Sequence, residues 1–377
     1  MRHGFFCANV PWRPDLAWIG ISDRFGGCFA AQGLACSRQG ASEIAEDTLM
    51  PRGTLLLETR LSPEGRPQTL LAFNRSHPWP GSFSLQALPG GGIILVEAQG
   101  DDMRHVTLPL ESDGRMDILR LTYSWDAPAR WAQLCVERPE GDAPTFARPH
   151  APHPLLMADA QTITTDARRR TVDGDVQFFA LSDRVESVGP MPGLTSEVPI
   201  ATPQGEVPVC KLKRGDLVVT HDGKVVPILQ VVKRVVPAKG NLRPVHLRAP
   251  YFGLRRDILV APQQRLVIGG SEVEYLFGRE AVLVPARHLV NGVSALKGEG
   301  PDLVTYHHLL LPGHEVVMAA GCPLESLYIG RLRRKPEPLA RSVLAGFDRS
   351  RLPEHAKPVW PVLKPFEAVT LAMNRAA

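Results

Sequence analysis

The chain has 377 residues, 44% hydrophobic and 22% charged, a length that points to two or three domains and a composition that excludes disorder throughout. Its 43 basic and 39 acidic residues leave a formal charge of only +4, so no global field draws it to nucleic acid or anionic lipid. With 33 glycines and 35 prolines it is dense in turn formers, and the expected class is mainly β.

No apolar run reaches the roughly 18 residues that a membrane-spanning helix needs. The start, 1–10, is cut by Pro11 before a signal-peptide core forms, so the expectation is a cytoplasmic protein or one exported without a cleaved signal. Six cysteines (Cys7, Cys28, Cys36, Cys135, Cys210, Cys322) are scattered with no CxxC pair. Neither a zinc site nor a disulfide framework is expected, and no cofactor is implied.

Residues 1–188 read as an N-terminal antiparallel β-sandwich with its core at about 50–140. Leu55 and Leu57 alternate with Leu56 and Glu58, and further apolar runs follow at 68–74 and 82–88. The triplet Gly90-Gly91-Gly92 after Pro89 has the composition of a hairpin connection, because glycine tolerates positive φ. In the clearest strand, Leu119, Leu121, Tyr123 and Trp125 share one face, and Arg120, Thr122 and Ser124 the other. Residues 139–170, rich in proline, histidine and charge, read as a loop or linker, and 176–185 as a strand that either closes the sandwich or leads into the next domain. Gly189-Pro190-Met191-Pro192-Gly193 marks a boundary, since two prolines and two glycines cannot continue a central strand. Short β segments fill 199–268, and helices are expected only at 286–290 and 338–347, the latter because Leu339, Val343, Leu344 and Phe347 share a face. Residues 331–377 read as a tail that packs back through Val359, Trp360, Val362 and Leu363, beginning with a solvated basic stretch, Arg331, Arg333, Arg334 and Lys335.

The segments Ile200-Ala201-Thr202-Pro203-Gln204-Gly205 and Leu212-Lys213-Arg214-Gly215-Asp216-Leu217 resemble the opening of the Hedgehog/intein (Hint) domain. Ile258 to Arg265 is similar to that family's second block, Val284 to Arg287 to the middle of its bacterial branch, and Tyr306 to Leu309 with His314 to Val317 and Glu325-Ser326 to its end. The resemblance covers about 135 residues and implies a Hint domain at 189–330. It also implies the family's chemistry. The domain's first side chain attacks the preceding carbonyl, and a second-block histidine protonates the departing amide nitrogen.

Counting back from Thr202, the nucleophile position is Gly193, and the histidine position is Gln264. A glycine has nothing to attack with, and a carboxamide cannot exchange a proton near neutral pH. The expected reading is a degenerate autoprocessing domain, with Thr195 or Ser196 as substitute nucleophile if the register shifts by two or three residues. The splicing end is missing too, since Asn374 is followed by Arg375. His308 and His314 match positions kept by the bacterial branch and are candidate site residues, with His308 near the former centre as one reading and both as polar residues satisfied within a β core as the other. His314-Glu315-Val316-Val317-Met318 fails as a zinc-protease helix because Met318 stands at the second ligand position. His150 and His153 have metal-ligand spacing but lie in a proline-rich loop, and no metal site is assigned.

The N-terminal half resembles concanavalin-like lectin and laminin-G folds by pattern, which implies a carbohydrate or another protein as partner. Asp101, Asp102 and Asp113 are candidates for a calcium-dependent sugar site, with solvated turn residues as the alternative. The alternating pair Glu272 and Glu274 is expected to flank a hairpin.

Overall fold

The computed structural model describes residues 18–35, 45, 47–110, 118–139 and 143–376. The 1–10 run, Cys7, Cys36 and Asp113 lie outside them, as does the side chain of Asn374. The architecture is mainly β, in antiparallel sheets.

The first half is a sandwich. Its larger sheet has seven strands, ordered Thr145–Phe146, Trp131–Glu137, Ile118–Asp126, Arg52–Arg60, Val176–Ser182, Trp18–Asp23 and Gly26–Phe29. Against it packs a five-stranded sheet of Arg170–Thr171, Gln68–Arg75, Gly81–Ala87, Ile93–Gln99 and Asp102–Leu108. Alternation puts Leu55, Leu57, Leu119, Leu121, Tyr123 and Trp125 into the core between them. The glycine triplet makes its turn with φ of 78°, 104° and 105°, values that other residues rarely adopt.

The outer face of the larger sheet is buried as well. Arg120, Thr122 and Ser124 are at most 6% exposed, because the second half of the chain and its tail cover them. Glu58 and Arg120 lie opposite each other in register and pair at 2.7 Å, and the free Glu58 oxygen accepts the backbone N–H of Asn241 at 2.7 Å. Beside them Trp18, Ile21, Leu56 and Phe178 form one apolar cluster with Val236, Leu242 and Tyr306. The Trp18 indole donates to the Val235 carbonyl at 2.8 Å.

Residues 139–170 are not the linker that their composition suggests. They contribute two short strands and helix α1 (Met157–Thr165), which packs on strands Trp18–Asp23 and Gly26–Phe29. Few apolar positions and three threonines hide this helix in the sequence. Its buried Asp159 is held by Arg75.

The second half has two six-stranded sheets. One runs Gln230–Pro237, Leu303–Leu310, Leu194–Thr195, Ile258–Val260, Val245–Leu247 and Ala295–Lys297. The other runs Gly205–Pro208, Pro199–Thr202, Val316–Ala319, Cys322–Glu325, Arg265–Gly269 and Ala281–Pro285. Leu194, Ile200, Val260, Leu266, Leu309 and Leu324 join them in one core. Gly215 turns with φ of 91°, and Asp216 accepts the Lys213 N–H at 2.8 Å, which aims the strand Leu217–Val219.

The expected helices are shorter than their patterns suggest. Residues 286–289 form one 3-10 turn, and 338–347 reduce to α3 (Pro336–Ala340) followed by turns, with Leu339 and Leu344 still buried. Two more helices escape the sequence reading. Glu272 and Glu274 do not flank a hairpin; they sit in the first turn of α2 (Ser271–Phe277), where acidic groups favour the helix N-terminus, and Gly278 ends it in the left-handed conformation. The tail ends in α4 (Pro365–Ala376). Before it, Val362 bridges Leu283 and Leu363 is buried, whereas Val359 stays 42% exposed. The basic stretch is exposed, with Arg334 paired to Glu354 at 2.8 Å. Among the described residues no helix is long and apolar enough to cross a membrane.

Candidate functional site

Gly193 leads into the short strand Leu194–Thr195, which lies between Ile258–Val260 and Leu303–Leu310. Its carbonyl accepts the Ala261 N–H at 2.7 Å. The chain then turns, with Gln264 N–H donating to Ala261 O at 2.9 Å, and this places the Gln264 side chain over Gly193. A Cβ built on Gly193 would lie 2.0 Å from Gln264 Oε1 and 3.2 Å from its Cβ. The carboxamide therefore occupies the space into which any side chain at 193 would extend.

Gln264 is held there from the far side. Its Nε2 donates to the carbonyls of Glu325, at 3.0 Å, and Arg265, at 3.2 Å, while Oε1 is buried without a partner. His308 reaches the same Glu325 carbonyl through Nε2 at 2.9 Å. A carbonyl only accepts, so Nε2 carries the proton of this bond. Burial is the main cause that holds the His308 pKa below its ordinary value, so the ring is neutral at neutral pH. The Glu325 carboxylate bonds Arg265 at 2.8 Å and approaches His314 Nε2 to 2.9 Å, off the line of a hydrogen bond. His314 Nδ1 accepts the Val359 N–H at 2.9 Å, so the C-terminal tail reaches this cluster too.

Gly193, Gln264 and His308 line a cavity of about 710 Å³ between the two halves of the chain, which Arg120 and Glu137 of the sandwich help to close. Among the described residues no serine, threonine or cysteine lines it. Thr195 and Ser196 line a different cleft, together with Asp23 and Lys239, and the Thr195 hydroxyl donates to Leu259 O at 2.8 Å. His314 lies behind Glu325, not in the cavity wall. Glu325 and Arg265 stand in the family blocks with no role of their own legible in the sequence. A charged residue closing the apolar run Cys322-Pro323-Leu324 was the available signal for Glu325.

Elsewhere, Asp102 is bound by Arg104 at 2.5 Å, and His153 lies 3.5 Å from it. His150 sits against Tyr123, with ring centroids 5.9 Å apart. Among the described residues no group of three or more His, Cys, Asp or Glu side chains is arranged to hold a metal ion.

The family model described as the Hint domain matches residues 192–331. No curated protein matches the chain. Among solved structures, the chain is similar to the CBM40 of the Ruminococcus gnavus IT-sialidase bound to alpha2,6 sialyllactose, at 13% identity over 37% of this chain and 80% of that one, with a TM-score of 0.27. It is also similar to the MchDnaB-1 intein, at 18% identity over 35% and 98%, with a TM-score of 0.25. A third is the binding domain of botulinum neurotoxin serotype D/C, at 7% identity over 74% and 79%, with a TM-score of 0.24. With the family match beginning one residue before Gly193 and ending at the start of the basic stretch, residues 192–331 are a Hint domain, and the chain is a Hint-domain protein with a β-sandwich in front.

Proposed function

We propose that this Hint domain is a scaffold that no longer cleaves its own chain, joined at about residue 189 to a sandwich of the concanavalin or laminin-G kind. The observation that carries the reading is that the Gln264 carboxamide fills the space a nucleophilic side chain on residue 193 would need. Acyl transfer from the Pro192–Gly193 peptide bond requires a nucleophile at its carbonyl carbon and a proton for the departing nitrogen. Gly193 supplies no nucleophile. Gln264 has no transferable proton, and the neutral His308 directs its own to the Glu325 carbonyl. Two members of a cooperating set are missing together, which leaves little of a mechanism that works only when assembled.

The alternative, cleavage by Thr195 or Ser196, has the geometry against it, because both residues line the other cleft. Intact-mass measurement of the purified full chain, incubated with dithiothreitol and with hydroxylamine, tests the proposal. The full mass is expected throughout, and a fragment ending near Pro192 overturns it. A calcium-dependent sugar site at the Asp101-Asp102 turn gains nothing from the engagement of Asp102 by Arg104, and Asp113 lies outside the described residues. Localisation, in the cytoplasm or outside the cell without a cleaved signal, remains part of the proposal.

A further inference from the structure

Between Leu352 and Leu363 the C-terminal tail runs along the Hint domain as a strap, residues 353–362. Apolar burial anchors both of its ends: Leu352 packs with Leu327, Ile329 and Leu332, and Leu363 joins the Hint core. The stretch between them has no such anchor. His355 is its one buried residue, and Ala356, Lys357, Val359 and Pro361 are exposed. Two imidazoles hold the middle of the strap, and they do so reciprocally. His314 of the Hint domain accepts the Val359 N–H of the strap at Nδ1, at 2.9 Å, and His355 of the strap accepts the Ile329 N–H of the Hint domain at Nδ1, at 3.4 Å. Backbone bonds run beside them, from His355 N–H to Gly330 O at 2.9 Å and from Leu283 N–H to Pro361 O at 2.8 Å. The two imidazole centroids are 5.7 Å apart, and the Tyr328 ring lies against both, at 5.0 and 6.2 Å.

Each Nδ1 accepts only while its ring is neutral. A proton there sets N–H against N–H, so protonation of the pair breaks both bonds and places two positive charges in one buried contact. The groups that face the pair do not balance that charge. Glu325 lies 2.9 Å from His314 Nε2 and can offset one imidazolium, but it is shared with Arg265 at 2.8 Å. Tyr328 and the neutral His308, the other titratable neighbours, add no negative charge. Glu354, on the strap itself, is turned to Arg334 at 2.8 Å. Burial, and after it His314, lowers the His355 pKa to about 4, against the Leu311 and Leu327 carbonyls and Glu325, which favour the charged ring.

We propose that the strap is a proton-operated latch: it lies closed on the Hint domain while His314 and His355 are neutral, and it swings away when they are protonated. Ala356 lines the cavity that holds Gly193 and Gln264, so release widens the mouth of that cavity. Release also frees the edge strand Ala281–Pro285, whose Leu283 the strap bridges through Val362. The latch operates whether or not the Hint centre cleaves.

Hydrogen–deuterium exchange of the full chain at pH 7, 6 and 5, corrected for intrinsic rates, tests the latch. The reporters are the His355 and Leu283 amides, whose partners are carbonyls and not the imidazoles. With the His355 pKa at about 4 in the closed strap and about 6.5 in the open one, the open fraction is expected to rise about 20-fold from pH 7 to pH 5. At pH 7 both amides are expected to exchange at least about tenfold faster than those of the central strand Arg52–Arg60, because the strap opens without the rest of the chain. His355→Asn keeps an acceptor near the Nδ1 position but takes up no proton, so it is expected to fold and to lose most of the pH dependence. Wild-type strap protection that varies less than about threefold over this range, or that equals the protection of Arg52–Arg60, overturns the proposal without reference to any variant. An undiminished pH dependence in folded His355→Asn overturns it as well.

Discussion

Gly193 and Gln264 make a quantitative prediction because they compete for one volume. Gly193 is not among the positive-φ residues, so an alanine there meets no backbone strain. The whole penalty of Gly193→Ala is then the encounter with Gln264. A new methyl at 2.0 Å from Oε1 forces the carboxamide to rotate, and the 3.2 Å contact with Cβ cannot be relieved that way. Overpacking of this kind costs about 1–3 kcal/mol, and surrendering the bonds to Glu325 O and Arg265 O adds about 1 kcal/mol. Gln264→Ala alone should cost about 1–2 kcal/mol, and the Glu325 carbonyl keeps its bond from His308. In the double variant the methyl enters space the carboxamide has vacated and only its contact with the residue-264 Cβ remains, so the penalties should fail to add by about 2–3 kcal/mol in the stabilising direction. Equilibrium urea unfolding of the four proteins measures this coupling directly. Additivity to within about 0.5 kcal/mol would refute the claim that Gln264 fills the nucleophile's space.

Two further expectations concern charge. His355 in the tail is 2% exposed, and burial, followed by the nearby His314, lowers its pKa from 6.5 to about 4. The unfolded chain therefore binds the proton first, and stability should fall by about 3 kcal/mol as pH drops from 6.5 through 4 and level off below, a slope that His355→Phe should reduce. Part of the slope should persist in that variant, because burial also lowers the pKa of His307 and His308, and coincident pH profiles of the two proteins would count against this assignment. Removing Glu58 leaves the buried Arg120 guanidinium without its partner, so Glu58→Ala should destabilise by about 3–5 kcal/mol in thermal or urea unfolding, and adding Arg120→Met should recover much of the loss. A single-variant penalty below about 1 kcal/mol would show that the pair is far better hydrated than its burial implies.

Strand positions were legible where one face alternates with the other, as at Leu119, Leu121, Tyr123 and Trp125, because period-2 patterning reports burial directly. The same rule fails for Arg120, Thr122 and Ser124. Nothing local distinguishes a polar face meeting water from one meeting another module, and only the tertiary arrangement supplies Asn241 and Arg341 as neighbours. Helix α1 escaped because its apolar face is only Ala160 and Ile163 among threonines, and its buried Asp159 finds its partner, Arg75, on a strand 84 positions away. In the candidate site, family spacing located Gly193 and Gln264, and chemistry alone gave what they lack. Their steric exclusion was not legible, since it depends on a turn at Pro262 and on the Glu325 carbonyl lying behind the glutamine.

That exclusion changes what the two departures from the family pattern mean together. A glycine at 193 beside a small residue at 264 would leave a void, and a glutamine at 264 beside a cysteine at 193 would leave a clash; glycine with glutamine fills the volume and ties Gln264 Nε2 to two carbonyls. The pair is thus a packing solution as well as a departure from the family pattern. A side chain restored at 193 alone would have to displace a bonded, buried carboxamide before it could approach the Pro192 carbonyl. On the proposed reading, the obstacle to cleavage is the shape of the site as well as its missing atoms, and changing either residue alone leaves that obstacle or opens a cavity in its place.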